Sequence, residues 1–290
     1  MFGSLVVVFP TPHKGGILLT RHRGQECAFD SAAALSTAPP SSIGYAVFFS
    51  DIEHEVTPVV SGHRVTLTYN LYFDDDAVSK PASISANEQR FRSAFQALLE
   101  NPQFLPDGGM LGFGMRHVYQ LENGRGLEHV YGLLKGSDAT VYRTARALGF
   151  DPLLYLHYES RPEGTDLVEY GLIDRVIQTA SCGLNTFIAT LPEYGGLALS
   201  FMDPHYVCLH VENVVHWVTP VMTFNRQSSA YMVYGNDAPS LGLAYGDVCL
   251  IVRIGKAGDR LAYPTVEQLK EQWEENEKKR EQVRRSCVWL

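Results

Sequence analysis

The sequence predicts a mostly β N-terminal part, built as a barrel-like set of short strands, followed by an α+β domain. Three observations support this fold class. Short apolar or alternating runs, separated by proline and glycine, fill the first quarter of the chain. Two segments with helical periodicity follow, and β-rich runs then extend from residue 197 onward. The predicted boundaries are 1–74 for the β domain, 75–88 for a linker, 89–262 for the α+β domain and 263–290 for a charged helical tail.

The first strands are predicted from apolar runs that end at turn residues. Residues 5–9 (LVVVF) form one such run, which the prolines and glycines of PTPHKGG interrupt before residues 17–20 resume it. This pattern is typical of a buried strand, a loop and a returning strand. Further strands are predicted at residues 26–29, 44–51 and 64–73, with a loop or frayed helix at 31–42.

The stretch from residue 50 to 73 combines strand periodicity with two chemically distinctive side chains. After His54 and a turn through Pro58 and Ser61-Gly62, apolar and polar residues alternate from Arg64, which predicts a half-buried strand. Arg64 and Thr66 share its polar face. An imidazole and a guanidinium on adjacent strands suit a site where one ligates a metal and the other binds a carboxylate. A structural histidine and an arginine paired with an acid are the alternatives.

The second half is predicted to mix helices with strands. A helix should begin near Ser85, because Ser85-x-x-Glu88 fits a capping box, and another should run over residues 137–148 with Ser137 as N-cap and Gly149 after its end. Residues 175–179 are a weaker helical candidate. Strands are predicted at the runs LALSF, YVCLHVE, SSAYMVYG and CLIVRI. Thr265 is predicted to cap the charged C-terminal helix. In that tail, Trp273 and Trp289 could contact a partner.

The segment HEVTPVVSGHR, with His54 ten residues before Arg64, resembles part of a known family. It is similar to the C-terminal iron ligand and keto-acid clamp of the Fe(II)/2-oxoglutarate dioxygenases of the prolyl 4-hydroxylase type. Upstream, FPTPHKGG resembles the family segment that ends in a paired glycine, here Gly15-Gly16. The chain looks most like fungal members with a long C-terminal extension, to which LPDGGMLGFGMRH, LKGSDATVYR, VVHWVTP and YGNDA are similar. The resemblance spans most of the chain.

This resemblance implies both a fold and an activity. Residues 1–74 would be a partial double-stranded β-helix, or jelly roll. The family reaction decarboxylates 2-oxoglutarate to succinate and CO2 and hydroxylates a substrate, here an unknown protein or small molecule. The implied cofactors are Fe(II), with His54 as a ligand, and 2-oxoglutarate, held by Arg64 with help from the hydroxyl of Thr66.

The sequence departs from the family pattern at the other iron ligands. These enzymes hold iron with two histidines and one carboxylate, and the first pair arrives as His-x-Asp on a strand before the paired glycine. Met1 stands where that strand should already have passed, so one of the three ligands has a counterpart. We therefore expect a dioxygenase domain truncated at its N-terminus, by real loss, an alternative start or a misplaced gene-model start. The alternative function is a catalytically inactive remnant that acts as a binding or interaction module.

Other pairs of histidine and acid could in principle replace the missing ligands. The candidates are His157 with Glu159, His210 with Glu212, and the reversed pair Asp203 and His205. With ten histidines in the chain, one or two such triplets are expected by chance. His13 and His22 are interpreted as loop and surface residues. A dinucleotide-binding glycine motif, a Walker lysine and a nucleophile-elbow serine are all absent from the sequence.

Composition argues against several classes of protein. The formal net charge is −8 with acids and bases interspersed, which disfavours nucleic acid as a partner. Five cysteines without a CxxC pair indicate neither a zinc ribbon nor a disulfide framework. No run approaches the roughly 18 apolar residues of a membrane span, so no membrane association is expected. These observations favour a cytoplasmic or nuclear protein.

Overall fold

The chain folds into two compact units, Met1–Ala82 and Ser83–Leu290. The computed structural model describes residues 1–22, 24–72, 84–122, 125–161, 166–181, 186–203, 208–211, 213–233 and 240–264, with positions 268, 271, 274–276, 278–279 and 282 beyond them. The division falls within the stretch 75–88 that was predicted as a linker. Residues 73–83, with most of that linker, lie outside the described residues.

The described part of the N-terminal unit consists of short strands and one short helix. The strands are β1 (Gly3–Val8), β2 (His13–Gly15), β3 (Leu18–His22), β4 (Gln25–Phe29), β5 (Gly44–Phe49), β6 (Glu53–Val56), β7 (Val59–Gly62) and β8 (Thr66–Leu71). The helix α1 (Ser31–Ser36) begins after Asp30, whose carboxylate accepts a hydrogen bond from the Ala33 amide. The expected turn at Ser61-Gly62 is wrong, because these residues belong to β7 and pair with β2.

The chain alternates between two antiparallel three-stranded sheets. One has the strand order β5-β1-β8 and the other β4-β3-β6, while β2 pairs with β7. Two contacts show that these sheets face each other. The ring of Phe48 in β5 lies 4.7 Å from that of His54 in β6, and a Cβ added to Gly44 would lie 3.2 Å from the Phe29 ring. The N-terminal unit is therefore β-rich, as predicted.

The β5-β1-β8 sheet carries an outer apolar face. It consists of two rows of directly paired residues, Tyr45–Val7–Leu67 and Val47–Leu5–Tyr69. Tyr45 is 67% exposed, and Leu67 and Tyr69 are about half exposed. The predicted alternation of β8 is present, but its apolar residues Leu67 and Tyr69 are exposed rather than buried, and Thr66 on the opposite side is half-buried.

The C-terminal unit is built on a nine-stranded sheet. Its order is β12-β16-β17-β10-β11-β13-β14, with β9 beside β17 and β15 beside β9. The strands are β9 (Gly109–Gly114), β10 (Leu153–Ser160), β11 (Glu169–Ile173), β12 (Thr179–Ser181), β13 (Leu197–Asp203), β14 (Cys208–Val211), β15 (Val215–Thr219), β16 (Arg226–Val233) and β17 (Ser240–Ile254). The helices are α2 (Ala86–Glu100), α3 (Gly136–Ala147) and α4 (Phe187–Thr190), with 3-10 turns at Leu127–Leu133, Leu191–Tyr194 and Thr223–Asn225. None of the described helices is long and apolar enough to cross a membrane.

The structure confirms one of the predicted helix starts and corrects another. Ser85 caps α2 by accepting a hydrogen bond of 3.1 Å from the Glu88 amide. Ser137 is not the N-cap of α3, which begins at Gly136 after Lys135 and has no side-chain cap. The first turn of α3 instead buries Asp138, which accepts hydrogen bonds from the Arg116 and His117 amides.

Two further helix predictions have different outcomes. The helix predicted at residues 175–179 is wrong, because this segment is extended from a β-bridge at Arg175 to β12 and buries both Val176 and Ile177. The predicted cap Thr265 lies outside the described residues, as do Trp273 and Trp289. Positions 274–276 and 278–279 of the predicted charged tail are helical.

Alternate residues of β10 contribute to two cores on opposite faces of the large sheet. Leu154, Leu156 and Tyr158 belong to a core that also includes residues of α2, α3 and α4. Tyr155, on the other face, belongs to a smaller core with Cys249 and the half-buried Trp217. The helices therefore cover one face of the sheet, and part of the second face remains open to ligands.

Candidate functional site

Arg64 is half-buried, and one edge of its guanidinium group is buried and unsatisfied. It lies between β7 and β8, and its Nε and Nη2 atoms are buried without a hydrogen-bond partner among the described residues. Burial lowers the pKa of this guanidinium. A buried cation without a counter-ion is costly, so a structure that retains one suits an anionic ligand.

Gly16 provides the space that the Arg64 side chain occupies. Its φ of +68° lies in the left-handed region that favours glycine. A Cβ at this position would lie 2.6 Å from Cδ of Arg64 and 3.2 Å from Cγ2 of Val59. The methylene groups of Arg64 therefore pack over bare backbone, which gives the glycine pair noted in the sequence a structural reason.

His54 lies on β6, directly opposite Thr20 of β3. Its Nδ1 is 3.0 Å from the carbonyl oxygen of Ile52, and its exposed ring packs against Phe48. A carbonyl oxygen can only accept, so Nδ1 is the donor in this hydrogen bond, which leaves Nε2 as the nitrogen available to a metal. Metal-bound histidines in proteins are commonly oriented by such a bond to a backbone carbonyl.

Strand pairing determines where the third predicted residue points. Thr66 is the first residue of β8 and lies opposite Val8 of β1, whose other neighbour is Gly44. Side chains alternate along a strand, so Thr66 shares the inward face of this sheet with Phe48. The structure thus places Thr66 and His54 between the same two sheets. Arg64 lies against Gly16, which is two residues before the start of β3.

A nearby cavity does not include the three predicted residues in its lining. It has a volume of about 570 Å³ and lies between the two sheets of the N-terminal unit. Thr20, Cys27, Phe48 and Ile52 are among the residues that line it. Of these, Thr20 pairs with His54 across β3 and β6, and the ring of Phe48 contacts the ring of His54.

The residues around His54 do not complete an iron site. No group of three or more His, Cys, Asp or Glu side chains that could hold a metal ion occurs in the described part of the chain. Glu53 and Glu55 flank His54 on the strand, but both pair with Arg21, at 3.6 and 2.7 Å. The described residues therefore leave the buried edge of Arg64 unpaired, and His54 alone does not form a three-ligand iron site.

The alternative ligand pairs are not assembled either. His157 is buried in β10, whereas Glu159 is exposed and pairs with Arg161 at 2.9 Å. His210 lies in β14 and Asp203 in β13, but their partners Glu212 and His205 lie outside the described residues. His13, interpreted as a loop residue, is the first residue of β2, and its Nδ1 bonds the carbonyl of Thr11.

Sequence reasoning missed a cluster around His157. Its ring stacks on Tyr170 of β11, with centroids 5.3 Å apart, and meets the edge of Trp217 of β15 at 5.0 Å. Because these three residues lie on separate strands, no local pattern in the sequence brings them together. A histidine within the apolar run LLYLHY was the one available signal.

Comparisons of the chain with protein-family models, with curated proteins and with solved structures find no match. The case for a function therefore depends on the geometry of Arg64, Gly16 and His54.

Proposed function

We propose that the N-terminal unit binds 2-oxoglutarate in the manner of the Fe(II)/2-oxoglutarate dioxygenases of the prolyl 4-hydroxylase type. Arg64 would hold the distal carboxylate, Thr66 would donate a hydroxyl hydrogen bond, and His54 would occupy the position of an iron ligand. The observation that carries the proposal is the buried and unpartnered edge of Arg64. Nε–H and Nη2–H point the same way along that edge, as a bidentate bond to a carboxylate requires.

The strand arrangement supports a jelly-roll interpretation of this unit. The chain passes from β1 to β3 and β4, returns to β5, crosses to β6 and returns to β8. A jelly roll consists of eight strands in two sheets whose Greek-key connections cross in this way. The two facing sheets have three strands each, one fewer than each sheet of a complete jelly roll. We propose a partial double-stranded β-helix on this basis.

The described residues support keto-acid binding more strongly than hydroxylation. Fe(II), where bound with three protein ligands, supplies the oxidative chemistry of the family, and His54 supplies one such ligand. We therefore assign no step of hydroxylation to this chain. The second candidate function, a binding module without turnover, is favoured by this ligand count.

The proposal is tested by calorimetric titration of the full chain with 2-oxoglutarate. We expect Arg64→Met to weaken binding by about tenfold or more, because a charge-assisted bond contributes about 1.5–3 kcal/mol. Arg64→Lys should restore only part of it, because an ammonium group lacks the planar fork. Arg21→Lys is the matched control, since this arginine of the same unit pairs with Glu26 and Glu55 at the surface. Unchanged binding by Arg64→Met would contradict the proposal, as would no binding by the unmodified chain.

A second measurement distinguishes the two candidate functions. Succinate release is followed in the presence of Fe(II), ascorbate and 2-oxoglutarate, with the unmodified chain and with His54→Ala. Release that His54→Ala abolishes would support the dioxygenase. Binding of 2-oxoglutarate without succinate release would support the module without turnover.

A further inference from the structure

The open face of the large sheet in the C-terminal unit contains a cavity of about 570 Å³, which we call the His157 cavity. It lies among β10, β11, β13 and β15 and the segments that follow β14 and β15. Its polar lining residues are His157, Ser200 and Asn213, and its aromatic ones are Tyr170 and Trp217. Aliphatic side chains and Pro220 form the rest of the lining, which is typical of small-molecule sites.

His157 is a buried polar side chain that faces this cavity without a hydrogen-bond partner. It is 9% exposed, and none of the described residues bonds to its ring nitrogens. Burial lowers its pKa to about 4, so the ring is neutral near pH 7 and has one N–H donor and one acceptor. The ring nitrogens are not among the fully buried atoms that lack a partner, so they are accessible from the cavity. A ligand in the cavity would therefore reach both the donor and the acceptor of the ring.

Ser200 is a second unsatisfied polar group in the same cavity. It lies on β13, opposite Tyr170 and Val211, and is 7% exposed. No hydrogen bond joins its hydroxyl to the described part of the protein. The cavity therefore presents two separate hydrogen-bonding groups within apolar walls.

The charge of the lining determines which ligands can enter. None of the described residues that line the His157 cavity is charged. The adjoining cavity of about 470 Å³ differs, because its lining includes the ion pairs Arg226–Asp247 and Glu159–Arg161, both at 2.9 Å. A charged ligand in the His157 cavity would lose its hydration without gaining a counter-ion, which disfavours carboxylates and amines.

We propose that the His157 cavity binds an uncharged, ring-containing organic molecule. The ring of this ligand packs beside Trp217 and Tyr170, and the polar groups of the ligand form hydrogen bonds with His157 and Ser200. The aromatic lining supports this class, because the His157 ring stacks on Tyr170 with an interplanar angle of 22° and makes a T-shaped contact with Trp217, and aromatic groups of this kind pack well with flat ligands. The proposal for this site does not rest on 2-oxoglutarate binding by the N-terminal unit.

The test uses matched neutral and anionic probes on the full chain. The pairs are benzamide with benzoate, 2-naphthamide with 2-naphthoate, and indole-3-carboxamide with indole-3-carboxylate. Calorimetry measures affinity, and the ring signals of isotopically labelled histidine report contact with His157. We expect at least one amide to bind with dissociation constants below about 1 mM, at least about tenfold more tightly than its carboxylate, and to shift the His157 signals.

Single substitutions show whether the amides bind in the His157 cavity. His157→Phe retains the ring and its packing but removes the hydrogen bonds, and should weaken amide binding about tenfold. Ser200→Ala should weaken amide binding by a few-fold. If His157→Phe does not fold, this variant alone tests whether the amides bind in the cavity. Val218→Ala is the control, because this residue is exposed on the opposite side of β15 from Trp217. The proposal is overturned if no amide binds, if the carboxylates bind equally well, or if neither variant changes the affinity.

Discussion

The two units of this protein distribute their apolar side chains in opposite ways. In the described part of the N-terminal unit, Val8 and Leu18 are the buried apolar residues, whereas Tyr45 and Leu67 on the outer apolar face are about half exposed or more. The C-terminal unit buries large side chains such as Tyr158 in its cores. The hydrophobic contribution to folding therefore resides mainly in the C-terminal unit.

Both units contain buried polar groups, of which some are paired within the described part of the protein and some are not. In the C-terminal unit, the buried carboxylate of Asp138 accepts bonds from two backbone amides and from the hydroxyl of Tyr119. In the N-terminal unit, the buried edge of Arg64 bonds to no described residue. In the C-terminal unit, the hydroxyl oxygen of Thr144 is likewise buried without a hydrogen-bond partner among the described residues. Burial alone therefore does not decide whether a polar group of this protein is paired.

The largest expected effect is on the core of the C-terminal unit. Phe187→Ala should lower the free energy of unfolding of this unit by about 3–5 kcal/mol, because the ring is 2% exposed and packs against Tyr158 and Tyr231. Leu67→Ala in the N-terminal unit should cost less than about 1 kcal/mol, because the side chain is 47% exposed. Denaturant unfolding of both variants measures the difference. Equal losses would contradict the comparison.

The next effect is a dependence of stability on pH that His157 produces. Its pKa is about 4 in the folded protein and 6.5 in the reference state, so the unfolded chain binds more protons between these values. Stability is therefore complete above pH 6.5 and falls as the pH decreases toward 4, by up to about 3 kcal/mol at 1.4 kcal/mol per pKa unit. The nearby carboxylates Glu159 and Asp247 favour the protonated ring and oppose this loss.

The contribution of His157 is isolated by His157→Phe. Urea unfolding of the C-terminal unit at pH 5 and at pH 7.5 should show a smaller difference for this variant than for the unmodified protein. An identical pH dependence in both proteins would assign the acid sensitivity to other groups, such as Asp138, whose pKa burial raises.

A smaller loss is expected where Arg260 stabilises the end of α2. Its guanidinium donates hydrogen bonds of 2.6–3.2 Å to the carbonyls of Leu99, Asn101, Phe104, Leu105 and Gly255. Arg260→Lys retains the charge but cannot reach all five acceptors, so we expect a loss of about 2 kcal/mol. Thermal unfolding measures it, with Arg92→Lys on α2 as a control that should change little. No loss would show that water satisfies these carbonyls equally well.

The smallest expected effect has the opposite sign. Arg64→Met should raise the stability of the ligand-free N-terminal unit by about 1 kcal/mol, because it removes a buried cation whose inner edge has no partner. Hydrogen exchange of the β1 and β8 amides measures the stability of this unit separately. Arg21→Met, which removes a surface ion-pair partner, should leave exchange unchanged or faster. Faster exchange in Arg64→Met would mean that Arg64 serves the fold.

The sequence predicted features that depend on neighbouring residues. The strands around residues 5–9, 17–20 and 26–29 and the cap at Ser85 follow from local periodicity and side-chain chemistry, and the structure contains them. The predicted N-cap of α3 at Ser137 was wrong, because the tertiary hydrogen bonds of Asp138 outweigh the capping tendency of Ser137. The helix predicted at residues 175–179 was wrong, because two β-branched residues are buried there and such residues favour extended backbone.

The candidate sites show the same limit. His54, Arg64 and Thr66 lie close together in the sequence, so pattern reasoning could select them together. Burial of the Arg64 edge against Gly16 depends on strand pairing and could not be read from spacing. The His157 cavity joins residues about 60 positions apart in the chain, so no sequence window contains it.

The outer apolar face has a consequence for how this protein behaves in the laboratory. A dye such as anilinonaphthalene sulfonate fluoresces when it adsorbs to exposed apolar surface, and its signal is commonly taken as a sign of a molten globule. Tyr45, Val47, Leu67 and Tyr69 offer such a surface on a fully ordered sheet. Dye fluorescence from this chain would therefore be compatible with its native state, and near-ultraviolet circular dichroism would be the proper criterion of folding.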